Sequence, residues 1–213
     1  MQPVNLVMFD YDGVIVDSLQ VFSQSFIAAC RENGLLAIAT EQDVLALFEH
    51  NVYESLRQRG VTAATINKIL ASYERRQNAR LKELKLFGGM AQALQTISRE
   101  NKVFIITSNL SAATETVLQA HNVNCVAEVI GAEKEKSKIA KIKKIMSGFK
   151  DLPAFYVGDT QGDMIEGRAA GAHTIGVTWG WHSPEQLQSG NAEYLVHTPQ
   201  ELVTLLLRPD RAG

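Results

Sequence analysis

Asp10-Tyr11-Asp12-Gly13 follows directly on an apolar run, Val4-Asn5-Leu6-Val7-Met8-Phe9. The run predicts a buried strand with two carboxylates at its C-terminal tip, the end at which open α/β sheets hold their ligands. Two bare acids at such a tip repel each other and lose hydration, and a bound cation relieves both costs. The same pair suits phosphoryl transfer, with one carboxylate as nucleophile and the other as acid and base. A plainer reading of Asp12-Gly13 is an Asx turn or helix N-cap. Tyr11, between the two acids, is expected to point the other way, and Gly13 to allow a sharp exit and close approach of main chain to an anion.

Two further segments end in the same manner. Lys102 to Ile106 is an apolar strand running into Thr107-Ser108-Asn109, and Ala154 to Val157 runs into Gly158-Asp159, with Asp163 four residues on. Hydroxyl and amide donors at the start of a following helix suit an anion, although they also suit helix capping. Lysines crowd 134–144, most of them readable as a solvated helix face opposite Ile139, Ile142, Ile145 and Met146. A phosphoryl group among carboxylates needs fixed positive charge. With a helix starting at Ser137, Lys136 is the best-aimed lysine and Lys138 the next.

The order of these four segments, Asp10 to Ser18, Thr107 to Asn109, the lysine near 136 and Gly158-Asp159 with Asp163, resembles the haloacid dehalogenase-like hydrolases. Within them it is most similar to phosphatases of the phosphoglycolate phosphatase type, over nearly the whole chain. The resemblance implies that Asp10 attacks phosphorus and becomes an aspartyl phosphate, and that Asp12 protonates the leaving group and then activates water. It implies Mg²⁺ held by Asp10, Asp12 (through its backbone carbonyl), Asp159 and Asp163, the last as a water-mediated ligand or as the partner of Lys136. Few protein ligands, all oxygen, are what Mg²⁺ prefers. Thr107, Ser108, Asn109 and Lys136 would bind the substrate phosphate. The acid at position 12 sets the chain apart from the dehalogenase branch, which lacks one. The usual Lys-Pro spelling at the lysine is absent.

Alternating strands and helices from Gly88 onward predict a parallel sheet covered on both faces. The predicted elements are helices 90–100, 111–121, 137–147, 163–170 and 199–207 and strands 103–107, 126–130, 154–158, 173–178 and 194–196. Residues 18–86 carry no strand period. Helices are expected there from Ser18 to Glu32, Glu41 to Glu49 behind a Thr40 cap, Val52 to Arg59, and from a Thr62 cap to about Leu84. The fold class expected is therefore α/β, a Rossmann-like parallel core (1–16 and 86–213) with an inserted all-helical cap (17–85). Its hinges would lie near Val16-Asp17 and Leu86-Phe87-Gly88. Asp17-Ser18 reads as an N-cap. Trp179 and Trp181 read as core packing or cap contact ahead of a nucleobase platform, and the five histidines as structural or surface residues. Arg208 to Gly213 is expected to fray.

Composition is that of an ordinary globular chain: 213 residues, 46% hydrophobic, 21% charged, net charge −2. Nothing basic enough for nucleic acid is present. Cys30 and Cys125 form no framework and are expected to be reduced. No apolar run approaches the roughly 18 residues of a membrane span, and the chain enters its first strand with no room for a signal peptide, so a cytoplasmic monomer or homodimer is expected. No Gly-rich nucleotide fingerprint occurs. The function expected is Mg²⁺-dependent hydrolysis of a small phosphate monoester, phosphoglycolate first. A phosphomutase or a non-hydrolytic phosphate-binding module is the alternative.

Overall fold

The computed structural model describes residues 4–207. The expected fraying of 208–213 lies outside them. Six strands form one parallel sheet: β1 (Leu6–Phe9), β4 (Lys102–Ile106), β5 (Glu128–Ile130), β6 (Ala154–Gly158), β7 (His173–Val177) and β8 (Tyr194–Val196). Their order is β5-β4-β1-β6-β7-β8, so β1 lies at the centre, flanked by β4 and β6. Burial on both faces explains why β1, β4 and β6 read as continuous apolar runs and not as alternating ones. One face packs a core that includes Val7, Phe9, Ile105, Phe155 and Val157. The other packs Leu6, Met8, Ile106, Ile142 and Tyr156. The helices that cover these faces are α5 (Met90–Ile97), α6 (Ser111–Ala120), α7 (Lys138–Ser147), α8 (Gln161–Ala170), α9 (Pro184–Ser189) and α10 (Pro199–Leu206). Among the described residues, no helix is long and apolar enough to cross a membrane.

Between β1 and the rest of the sheet lies a helical segment: α1 (Leu19–Glu32), α2 (Glu41–Leu45), α3 (Val52–Gln58) and α4 (Ala63–Asn78). Thr40, Asn51 and Thr62 accept from helix N–H groups as their caps. These helices enclose a cluster of their own around Phe22, Phe26, Leu47, Leu56, Ile66 and Ile69. Both connections to the sheet pass through a two-stranded antiparallel ribbon, β2 (Val16–Asp17) and β3 (Lys85–Leu86).

Several boundaries differ from expectation. The 41–49 helix turns to 3-10 geometry at Ala46–Glu49, where it meets α8. A Cβ at Gly162 would lie 2.8 Å from the His50 carbonyl oxygen and 2.9 Å from that of Phe48, so this approach requires glycine. The fourth helix stops at Asn78 and gives way to a 3-10 turn, Leu81–Glu83, and the expected hinge residues Val16 and Asp17 pair with Leu86 and Lys85 as short strands. Helix α8 begins at Gln161 and not at 163, because Thr160 is its cap. Helix α9 was not anticipated.

Candidate active site

The carboxylates converge where the sheet's central strands end. Asp10 leaves β1 with its N–H donating to the Val157 carbonyl of β6, 2.8 Å away. Asp159 follows β6, and Asp163 lies in the first turn of α8. Asp10, Asp159 and Asp163 each bring an oxygen within 4.8 Å of the others. Gly13 makes this packing possible. Its φ is +73°, and a Cβ there would fall 1.8 Å from Asp159 Oδ2, a position only glycine tolerates.

Lys138, not Lys136, supplies the positive charge. Its Nζ donates to Asp10 Oδ2 at 2.8 Å and to Asp163 Oδ1 at 2.7 Å. Lys136 is exposed, and among the described residues it has no contact with the carboxylates. The reason lies in helix phase. Ser137 is the N-cap and accepts from the Ala140 N–H, so α7 starts at Lys138, and the first helical residue, not the one ahead of the cap, points back at the sheet. Lys141, one turn on, was expected on a solvated face. It is buried, with Nζ donating to the Thr107 carbonyl at 2.6 Å. The signal was available, since residues three apart share a helix face.

Asp163 both caps and clamps. It forms a capping box with Thr160, its Oδ2 accepting from the Thr160 N–H and hydroxyl and its Oδ1 from Lys138 and the Tyr156 hydroxyl. Both its oxygens are thus committed to protein donors. Asp12 stands apart from the three-acid cluster. Its Oδ2 accepts from Asn109 Nδ2 at 2.7 Å, and its Oδ1 has no hydrogen-bond partner among the described residues. Asn109 is itself held by its N–H donating to Thr107 Oγ1 at 3.0 Å. Ser108 is exposed beside them. The structure therefore gathers Asp10, Asp12, Thr107, Ser108, Asn109, Asp159 and Asp163, and replaces Lys136 by Lys138.

The charge balance fits a bound cation. Burial pushes the Asp10 carboxyl up to about 8 even with Lys138 beside it. Burial raises Asp12 also, and raises Asp159 well above the usual carboxylate range, with Asp163 and Asp10 adding repulsion. Asp163 alone is held low: burial opposes its charge, but Lys138, Thr160 and Tyr156 outweigh it. Asp159 Oδ2 accepts from the Trp181 N–H at 2.8 Å, whereas its fully buried Oδ1 has no partner among the described residues. An orphaned carboxylate oxygen among hard oxygen donors fits Mg²⁺, which would also lower the carboxyl pKa values.

The loop after β7 ties the helical segment to this site. Trp181 packs into the helical cluster, its ring 4.8 Å from those of both Phe22 and Phe48. His182 Nδ1 accepts from the Gln161 N–H, which leaves Nε2 to donate to the Leu45 carbonyl at 3.1 Å. Trp179 Nε1 donates to the Val14 carbonyl. These aromatics are packing and contact residues, as the sequence suggested, but the link from Asp159 through 181–182 to the helices was not legible there.

The family model for haloacid dehalogenase-like hydrolases matches residues 7–177. The chain belongs to that family. Among curated haloacid dehalogenase relatives, a phosphoglycolate phosphatase of Synechococcus elongatus is 28% identical, covering 95% of this chain and 98% of the relative. A pyrophosphatase, PpaX, of Anoxybacillus flavithermus is 21% identical over 95% and 97%. Among solved structures, a predicted phosphatase from Clostridium acetobutylicum superposes with a TM-score of 0.83 at 20% identity, covering 97% of this chain and 99% of that one. The six-stranded parallel sheet with its helices is the haloacid dehalogenase fold.

Proposed function

We infer that this enzyme, a phosphatase of the haloacid dehalogenase-like family, hydrolyses a small phosphate monoester through an aspartyl phosphate on Asp10. The observation that carries the reading is the clamp of Lys138 between Asp10 and Asp163, together with the Asp12–Asn109 pair. In the first step an Asp10 oxygen attacks phosphorus, a P–O bond to Asp10 forms, and the bond to the leaving oxygen breaks. Asp12 gives that oxygen its proton. Burial raises its pKa above the ordinary carboxylate value, the direction in which a general acid is helped. In the second step Asp12 takes a proton from water, the oxygen of which attacks the aspartyl phosphate and restores Asp10 with release of phosphate. Lys138, Thr107, Ser108 and Asn109 would hold the non-transferring oxygens.

Asp10, Asp159 and the Asp12 backbone would hold Mg²⁺, with Asp163 acting mainly through Lys138. When bound, the ion supplies charge neutralisation between carboxylate and phosphoryl oxygens. The helical segment 17–85 acts as the cap, excluding water and selecting the leaving group. Phosphoglycolate is the first substrate to test and pyrophosphate the second, as the names of the relatives suggest.

A phosphate-release screen with and without Mg²⁺ tests this, using phosphoglycolate, pyrophosphate and sugar phosphates. Multiple turnovers with one ester, abolished by chelator and restored by Mg²⁺, are expected. Full activity in excess chelator would refute the metal, and no release from any ester would refute the reading.

A further inference from the structure

Lys141 is the buried cation to which the mechanism above gives no work. Its side chain is 1% exposed, and its one hydrogen-bond partner among the described residues is a neutral carbonyl, that of Thr107. An ammonium buried without a carboxylate partner is costly. A leucine or methionine would fill the same volume without that cost. The groups that face it are Lys138 on its own helix, Asp10 at the end of β1, Glu133 and Glu135 ahead of α7, and Glu166 on α8.

The Thr107 carbonyl and the Ser108 N–H belong to a single peptide, and the described chain contains no cis bond. In a trans peptide the two groups point in opposite directions. With Lys141 taking the oxygen from inside, the Ser108 N–H is turned outward. Ser108 is exposed, and its N–H has no acceptor among the described residues. A positive charge on the oxygen also polarises the peptide and strengthens its N–H as a donor. The neighbouring Thr107 hydroxyl is already fixed by the Asn109 N–H. The loop thus has two supports, Asn109 on its side chain and Lys141 on its backbone.

We propose that Lys141 is a positioning residue that locks and polarises the Thr107–Ser108 peptide so that its N–H meets a phosphoryl oxygen. This rests on the phosphoryl-transfer reading of the site. Lys141 touches no reacting atom.

The test compares wild type with Lys141→Met and Lys141→Gln, the latter retaining a donor and losing the charge. Binding of orthovanadate, an anion shaped like a phosphoryl group, is measured by calorimetry with Mg²⁺ present, alongside kcat, KM and Tm. Loss of a single oxyanion donor costs about 10²–10³-fold in kcat. For a residue one bond removed, we expect orthovanadate binding to weaken about tenfold in K141M and less in K141Q. Burial and Lys138 bring the Lys141 ammonium down to about 8. The wild-type advantage is therefore full below that pH and narrows as pH rises through it. Should K141M fail to fold, K141Q carries the comparison. Orthovanadate affinity within about threefold of wild type in the folded variants, or an advantage independent of pH, overturns the inference. An ester-inactive wild type whose orthovanadate binding still falls on substitution would fail the phosphatase reading and support Lys141.

Discussion

Lys138→Met removes the charge that holds two carboxylates together and keeps most of the side chain's volume. Lys138, Asp10 and Asp163 side chains are 13%, 10% and 1% exposed, with contacts of 2.8 and 2.7 Å. Breaking a buried pair typically costs about 3–5 kcal/mol. Two features place this case at the lower end. Asp10, pushed up to about 8 even beside Lys138, already holds its proton for the most part at pH 7, so loss of the lysine leaves little bare charge on it. Asp163 retains the Thr160 and Tyr156 donors. A loss of about 3 kcal/mol lowers Tm by about 6–12 °C in a chain of this size. The pH dependence follows from Asp163. Its folded pKa lies below the ordinary 3.8, so its contribution is present above 3.8 and is lost as pH falls through the folded value. The gap between wild type and K138M is therefore widest near neutrality and narrows below about pH 4. Calorimetric melts at pH 7 and pH 4, with phosphate release at pH 7, measure both effects. The exposed Lys136→Met serves as control and should stay within about 0.5 kcal/mol. A Tm loss under about 2 °C for K138M, or a greater loss of activity in K136M than in K138M, would refute the placement of the site lysine.

Three other substitutions probe the site's construction. Asp10→Asn should lower turnover by at least about 10³-fold while the protein stays folded, because the covalent route is closed. Residual activity within about tenfold of wild type rules out Asp10 as nucleophile. Gly13→Ala places a methyl 1.8 Å from Asp159 Oδ2 at a φ of +73°. It should cost at least about 1–2 kcal/mol in backbone strain and weaken Mg²⁺ binding, which calorimetric titration with the ion reads; unchanged affinity contradicts the metal role of Asp159. Trp181→Ala removes a ring packed on Phe22 and Phe48 and should cost about 3–5 kcal/mol. Chemical denaturation measures it, and a loss under about 1 kcal/mol shows that the tryptophan does not tie core to helices.

The strand tips were readable because β1, β4 and β6 are buried on both faces, leaving an uninterrupted apolar run and an abrupt polar end. That contrast marked Asp10, Thr107 and Asp159, and the family resemblance supplied their roles. The site lysine, Lys138, was ranked second to Lys136 because its placement depends on a single residue of helix phase, and Ser137 as cap, rather than first helical residue, decides it. Lys141 was missed because a lysine is expected outside. Its burial becomes intelligible only once the Thr107 carbonyl is known to lie against α7. The 3-10 turn at Ala46–Glu49 was illegible for another reason: it is imposed by contact with Gly162, far away in sequence. Helix α9 did carry a local signal, a Ser183–Gln186 capping box with Pro184 in its first turn, which the strand-helix count passed over.

The central place of β1 has a consequence for how the protein is made. The strand is synthesised before the rest of its sheet, and its two hydrogen-bonding neighbours, β4 and β6, begin only at Lys102 and Ala154. At about 5–20 residues per second, on the order of ten seconds or more separates the emergence of Leu6–Phe9 from that of its second neighbour. Both edges of this apolar segment are bare until β4 emerges and one stays bare until β6 does, and Asp163 reaches Asp10 later still. The sheet cannot close from its N-terminal end. Pulse-labelled nascent chains released before residue 154 should therefore be protease-sensitive, and those released after about residue 200 resistant. Resistance in the shorter chains would show that β1 finds a temporary partner on the way.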